Sequence, residues 1–178
     1  MNARKSRLLT TLAASLMLAL PVTTIAAVDA FLKIDGIDGE STDPQHPGHI
    51  AIESWSFGAT QTLSSSTTGR AGGKSCLTDL SLVKYVDKAS PLLLSATMTG
   101  MHIPTAVISV RKAGEGQKDY LIYTLTDVLV SSVSQAAGGD VPMESVSFNF
   151  GSLKIKYEQQ LSDGRAGPTV EKTVSGRC

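Results

Sequence analysis

Apolar and polar side chains alternate with a period of two along most of the chain beyond residue 30. The clearest runs are Ala106, Ile108 and Val110, then Tyr120, Ile122 and Thr124, then Val146, Phe148 and Phe150. Such alternation is typical of β-strands that bury one face. Further strands are predicted over residues 31–34, 50–57, 76–85, 128–133 and 153–157, with turn signals at Asp35-Gly36, Asp38-Gly39, 114–116 and 138–140. Many short strands separated by glycine-rich turns predict a mainly β fold, either a closed barrel or a sandwich.

One segment departs from the strand pattern and predicts a single short helix. Ser90 suits the N-cap, Pro91 suits the first helical position, and Gly100 supplies a stop. The apolar residues of this segment, Leu92, Leu93, Leu94 and Met98, are expected to plug one side or end of the barrel.

Two stretches are predicted to be irregular. Residues 40–49 are rich in Asp, Pro and His, and residues 61–74 are rich in Ser, Thr and Gly. The second stretch has too little apolar surface to order itself. It is therefore either a surface loop without a partner or a segment ordered by the barrel or by another chain, which would make it a candidate assembly contact.

The N-terminus has the three parts of a secretory signal peptide. Arg4, Lys5 and Arg7 precede an apolar run over residues 8–20, and small residues end at Ala26. Cleavage is predicted after Ala26, and the alternative is an uncleaved N-terminal anchor. The apolar run is short for a membrane span, and no second run of spanning length follows, so no stable membrane insertion is expected after cleavage.

Removing residues 1–26 changes the charge of the chain. They hold three of the sixteen basic residues and none of the sixteen acidic ones, so the mature domain has a net charge of −3. A mildly acidic domain is a poor candidate for nucleic-acid binding. The remaining length suits one domain with its own core.

The chain has two cysteines, Cys76 and Cys178. In an exported chain, exactly two cysteines suggest a disulfide. Closing a loop of about 100 residues would contribute about 4 to 5 kcal/mol in the chain-entropy model. The pairing could also link two subunits, or both thiols could be free, because sequence positions do not give geometry.

No segment indicates an active site, a metal or a cofactor. The stretch 69–75 resembles a phosphate-binding loop but is one residue short and lacks a following helix. Asp43, His46 and His49 look like a solvated turn rather than a zinc site, and the acids from Asp35 to Asp43 do not have the spacing of a calcium loop. A structural or binding role is therefore expected, with no enzyme activity.

Six segments follow one another along the chain: AVDAFLKIDGIDGES from Ala27, IAIESWSFG from Ile50, DLSLVKYVDKASP from Asp79, ISVRKAG from Ile108, YLI from Tyr120 and VLVSSVS from Val128. In this order they resemble the Hcp (haemolysin-coregulated protein) family, the tube proteins of type VI secretion. The resemblance covers residues 27–157. Together with the signal peptide predicted at 1–26, it implies a barrel domain at 27–160 and a C-terminal tail at 161–178.

The resemblance also implies the architecture and the partners. The expected fold is a two-sheet antiparallel β-barrel with one short α-helix, which assembles head-to-tail into hexameric rings that stack into a tube and can carry effectors in the lumen. The ring-stacking loop would comprise Ser64, Ser65, Ser66, Thr67, Thr68, Gly69 and Arg70. The family supplies no catalytic residues.

The signal peptide departs from the family pattern, because members usually leave the cytoplasm through the secretion machine. The expectation is a secreted, structural, self-assembling relative in the periplasm or outside the cell. The alternative is a ring-forming binding module at the same locations, without a translocation machine. A bridge from Cys76 to Cys178 would hold the C-terminal tail near a ring face or link neighbouring subunits.

Overall fold

Strands dominate the part of the chain that the structure describes, which comprises residues 28–66, 69–112, 118–161 and 165–176 of a computed structural model. The strands and the helix are β1 (Val28–Ile34), β2 (Ile50–Ile52), β3 (Ser54–Ser56), β4 (Ala59–Ser66), β5 (Gly69–Leu77), β6 (Leu80–Tyr85), α1 (Ser90–Thr99), β7 (Ile103–Lys112), β8 (Asp119–Ala136), β9 (Met143–Gln160) and β10 (Ala166–Ser175). The predicted signal peptide lies outside the described residues. Within them, no helix is both long and apolar enough to cross a membrane.

The main sheet curls until its two ends meet. Its order is β2-β1-β7-β8-β9-β6-β3, and all of its pairs are antiparallel. The end strands β2 and β3 are consecutive and are separated by Glu53 alone, whose backbone N–H donates to the carbonyl of Val83 on β6 at 2.9 Å. One extended segment therefore pairs with β1 through its first half and with β6 through its second half, which nearly closes a barrel. This confirms the predicted mainly β, barrel-like fold.

The core fills the barrel with inward-facing side chains at alternate positions. Leu32 on β1, Ile108 on β7, Leu125 on β8 and Phe148 on β9 are fully buried. The alternation reverses at Asp127, which has a positive φ of 54°, so that both Leu125 and Val128 point inward. The sequence predicted two separate strands here, one on each side of this reversal. The structure has one continuous strand, β8, and the same holds for β9.

The helix begins and packs differently from the expectation. Its N-cap is Ala89 rather than Ser90, and no side chain caps its first turn. Gly100 ends it in the left-handed conformation, with φ at 65°, as predicted. The predicted apolar plug is wrong for three of its four residues: Leu93 is buried, whereas Leu92, Leu94 and Met98 are exposed.

The described residues of the stretch 61–74 are not irregular but belong to two paired β-strands, β4 and β5, which we call the β4–β5 hairpin. Strands β4 and β5 pair from Ala59↔Leu77 to Ser66↔Gly69, with an irregularity between Gln61 and Leu63. Strand pairing needs only backbone groups, so polar and glycine residues do not prevent it. The hairpin continues the β3–β6 pair, because the backbone N–H of Thr78 donates to the carbonyl of Gly58 at 2.9 Å.

The predicted C-terminal tail contains a strand. Strand β10 pairs with β9 from Ala166↔Gln160 to Ser175↔Ser152. On the same edge of β9, strand β6 pairs only as far as Phe148. Strand β10 therefore pairs with the part of this β9 edge that lies beyond the start of β6, where the chain enters β6 from the hairpin.

Candidate assembly surface and the contacts that hold it

The β4–β5 hairpin is exposed along most of its described length. All of its described side chains from Ala59 to Leu63 and from Gly72 to Ser75 are exposed, and Leu63 is 69% exposed. Among the described residues, β4 and β5 form a separate two-stranded sheet. A ribbon of two strands that buries neither face is only marginally stable in water. The edges of such a ribbon are also suited to pairing with another chain.

The predicted ring-stacking residues fall on this hairpin. Ser64, Ser65 and Ser66 lie on β4, and Gly69 and Arg70 lie on β5. Thr67 and Thr68 lie outside the described residues. The segment that resembles a phosphate-binding loop forms β5 itself.

A buried ionic network fixes the start of α1 beside the C-terminal end of β6, which is the end away from the hairpin. The Nζ of Lys84 lies 2.9 Å from Glu144 Oε1, 2.7 Å from Asp87 Oδ1, 2.7 Å from the Tyr85 carbonyl and 3.2 Å from Ser90 Oγ. The side chains of Lys84 and Glu144 are completely buried. The network therefore joins strands β6 and β9 to the helix, and two of its charges, those of Lys84 and Glu144, have no access to water.

Glu144 is the centre of this network. Its Oε1 also accepts from Ser90 Oγ at 2.8 Å, and its Oε2 accepts from Gln135 Nε2 at 2.8 Å. Burial acts to raise the pKa of Glu144, but the hydrogen bonds from Lys84, Gln135 and Ser90 outweigh it and lower the pKa. The hydroxyl of Ser90 is used here, which explains why it does not cap the helix.

A second cluster attaches the 40–49 loop to the barrel. Arg111 on β7 forms a two-pronged ion pair with Asp43 and lies 3.5 Å from Asp29. The hydrogen bond from Arg111 lowers the pKa of Asp43, burial opposes this, and backbone donors of Gln45 and His46 lower it further. Asp43 thus orders the turn that follows it, as its turn chemistry predicted, and also anchors it.

The prediction that this loop is a solvated turn is wrong for His46. Its side chain is buried, its ring stacks on Phe31 with centroids 4.5 Å apart, and its Nε2 lies 3.0 Å from Asp119 Oδ1. The guanidinium of Arg111 also lies over Phe31, 5.0 Å from the ring centroid. The ring of His49 lies 5.0 Å from that of His46, and burial together with the nearby His46 and Lys33 lowers the pKa of His49. No group of three or more metal-ligating side chains converges within the described residues.

Sequence analysis missed both clusters, although the alternation pattern contained a signal for one of them. Lys84 is in phase with the inward-facing Leu80 and Leu82, and Glu144 is in phase with Val146 and Phe148. Two opposite charges on the inward faces of neighbouring strands indicate a buried pair. The Arg111–Asp43 pair had no such signal, because it depends on how an irregular loop folds back.

The family model described as "Type VI secretion system effector, Hcp" matches residues 31–157, which is most of the chain. The chain belongs to the Hcp family. This confirms the resemblance drawn from the sequence. It makes the chain a structural, secreted Hcp-like protein of type VI secretion, and it does not support the alternative of a binding module without a translocation machine.

Individual Hcp proteins are similar over most of their length. "Protein hcp1" of Pseudomonas aeruginosa is 44% identical over 142 residues, which covers 78% of this chain and 88% of that protein. A solved structure of a type six secretion system protein superposes with a TM-score of 0.78 at 29% identity, covering 84% of this chain and 96% of that one. Hcp1 from Salmonella typhimurium gives a TM-score of 0.66 at 35% identity, covering 84% and 94%. The fold and the family thus agree, and self-association is the family's mode of action.

Proposed function

We propose that this chain is a tube subunit that assembles head-to-tail into hexameric rings and stacks them through the β4–β5 hairpin. The observation that carries the proposal is the hairpin: a two-stranded ribbon, separate from the main sheet, whose described side chains at residues 59–63 and 72–75 are exposed. Contact with a neighbouring copy would bury it. Effector proteins carried in the ring lumen belong to the same proposal.

The site of action is proposed to be the periplasm or the exterior of the cell. Support comes from the N-terminal sequence, in which the basic residues Arg4, Lys5 and Arg7 precede an apolar run that ends in small residues at Ala26. In this proposal the mature protein starts at Ala27 and acts as a structural subunit without a cofactor or catalytic residues. N-terminal sequencing of the exported protein tests the cleavage, and a product that retains Met1 would contradict it.

The assembly is tested on the mature protein, residues 27–178, exported with its own signal. Light scattering after gel filtration should give six copies per particle, and negative-stain images should show six-fold rings or stacked tubes. A protein that stays monomeric at high concentration would refute the tube function.

The role of the hairpin needs a variant and a matched control. Leu63→Glu places a charge on the hairpin, and Met98→Glu places one on α1, where Met98 is 79% exposed. We expect Leu63→Glu to abolish stacking of rings while single rings persist, since burying an unpaired charge is costly. Met98→Glu should still form tubes. Equal loss in both variants, or normal tubes with Leu63→Glu, would count against stacking through the hairpin.

A further inference from the structure

The β4–β5 hairpin carries only positive charge. Residues 59–77 include two basic residues, Arg70 and Lys74, and no acidic residue, although the domain from residue 27 onward has a net charge of −3. Lys74 is exposed, and Leu63 on the paired strand is 69% exposed. A surface that binds this hairpin is therefore expected to be acidic and to offer apolar side chains.

The end of the barrel away from the hairpin has an acidic cleft. Strand β6 starts near the hairpin root at Leu80 and ends at Tyr85, about 17 Å further along. Tyr85 lines a cleft of about 490 Å³ together with four carboxylates and one guanidinium, which leaves an excess of three negative charges. The four acidic residues are Asp29, Glu40, Asp43 and Asp87.

The same cleft has an unsatisfied hydrogen-bond donor. Arg111 lines the cleft, is only 6% exposed and pairs with Asp43. Its Nε lies 3.5 Å from Asp29 and has no hydrogen-bond partner among the described residues. Buried donors are normally paired in folded proteins. A ligand that suits this cleft therefore brings acceptor oxygens as well as positive charge, and a strand with basic side chains brings both.

Tyr85 also connects the acidic cleft to an apolar groove. The groove continues over Val141 and Met143, between the end of β8 and the start of β9. Tyr85 is 46% exposed and Val141 is 52% exposed. Acidic and apolar surfaces thus adjoin at this end of the barrel. We call Asp29, Glu40, Tyr85, Asp87 and Val141 together the Tyr85 surface.

We propose that the Tyr85 surface is the docking site for the β4–β5 hairpin of a second copy, with Lys74 paired to Glu40 and Leu63 packed on Tyr85 and Val141. The inference rests on the proposed function and names the surface that receives the hairpin. The hairpin and the Tyr85 surface lie at opposite ends of one barrel. Each copy therefore binds one copy at each end, and a contact of this kind repeats from ring to ring.

Charge reversal tests the contact on the mature protein, exported with its own signal and imaged by negative stain. Lys74→Glu and Glu40→Lys should each reduce the fraction of stacked rings at least about tenfold, because like charges then meet. Single rings should persist, and the double variant should stack again. Lys172→Glu, at an exposed position on β10, is the control and should stack like the wild type. Normal stacking in either single variant, or no recovery in the double variant, would overturn the pairing.

Photocrosslinking locates the receiving surface directly. A benzophenone side chain replaces Leu63, because it is apolar and because Cys76 at the hairpin root is already disulfide-bonded, which complicates the use of an engineered cysteine. In tubes grown from a mixture of isotope-labelled and unlabelled protein, we expect crosslinks between copies to peptides that contain Tyr85 or Val141.

The outcomes separate this inference from the proposed function. Tubes that form normally but crosslink elsewhere would overturn the Tyr85 surface as the docking site and leave the tube function intact. Rings that never stack would overturn both. Loss of single rings in Lys74→Glu, while the Lys172→Glu control still forms rings, would assign the hairpin to a contact within the ring instead.

Discussion

Lys84 and Glu144 form an ion pair across β6 and β9, with 2.9 Å between Nζ and Oε1 and no solvent exposure of either side chain. Removing one partner of such a pair is strongly destabilising, because the remaining charge is left in surroundings that cannot solvate it. The helix depends on it as well, since Ser90 donates to the same carboxylate oxygen.

Replacing Lys84 by Met should therefore lower the free energy of unfolding by about 3 to 5 kcal/mol, measured by urea denaturation. The double variant Lys84→Met, Glu144→Gln should recover part of the loss, since no unpaired charge remains. Lys154→Met is the control, because its pair with Glu171 is exposed and spans 3.7 Å; we expect a change below about 1 kcal/mol. Similar losses in both single variants would contradict the argument.

Asp43→Asn should release the 40–49 loop from the barrel. It removes the charge that pairs with Arg111 and weakens acceptance from the backbone N–H of Gln45 and His46. We expect a loss of about 2 to 3 kcal/mol in unfolding free energy and faster amide exchange in this loop. Asp35→Asn, at an exposed position, is the control and should change neither quantity. Unchanged exchange at residues 40–49 would show that the pair does not hold the loop.

Acidification should destabilise the fold in two steps. The folded-state pKa of His49 is below its ordinary value of 6.5, so the unfolded chain binds the proton more readily and stability falls as the pH drops through 6.5. The folded-state pKa values of Asp43 and Glu144 are also lowered, so their ionised carboxylates stabilise the fold above the ordinary pKa values of 3.8 and 4.5. This stabilisation is lost as the pH falls below those values.

Thermal unfolding from pH 8 to pH 3 checks both steps. His49→Gln should flatten the step near pH 6.5 and leave the lower one. His102→Gln is the control, since that side chain is 60% exposed. A step near pH 6.5 that persists in His49→Gln would assign it to another group.

Gly39→Ala should be strongly destabilising for a steric reason. A Cβ at Gly39 would lie 2.4 Å from the carbonyl oxygen of His49 and 2.4 Å from the Cα of Ile50, both of which are backbone atoms. We expect a loss of about 2 kcal/mol or more in unfolding free energy. Gly138→Ala meets no atom within 4 Å and should be neutral. A neutral Gly39→Ala would mean that the loop can move away without cost.

The alternation of side chains predicted most of the barrel, because strands that bury one face repeat every two residues. It failed at Asp127, where the alternation in β8 reverses, because the two halves of β8 were predicted as separate strands. It also failed at β4 and β5, since their pairing uses backbone groups that composition does not reveal. For the helix, the type and end were predictable from Pro91 and Gly100.

The candidate assembly surface was located in the sequence by its composition, as a stretch that could not order itself. Its shape as a hairpin was not predictable, and nor was the contact of Leu77 with Gly176, which lie 99 positions apart. The side chains buried on α1 were predicted incorrectly, because Leu92, Leu93 and Leu94 are equally apolar and only packing selects Leu93.

The continuous segment formed by β2, Glu53 and β3 limits the number of ways in which one copy can associate with another. Because β2 and β3 join the two ends of the main sheet, the barrel offers hardly any unpaired backbone along its circumference. Within the described residues, a further strand would then pair with elements that extend beyond the closed part of the sheet, such as the β4–β5 hairpin and β10. A particle with few such elements has low valence, and low valence favours growth as a filament over amorphous precipitation, even when many copies are crowded together.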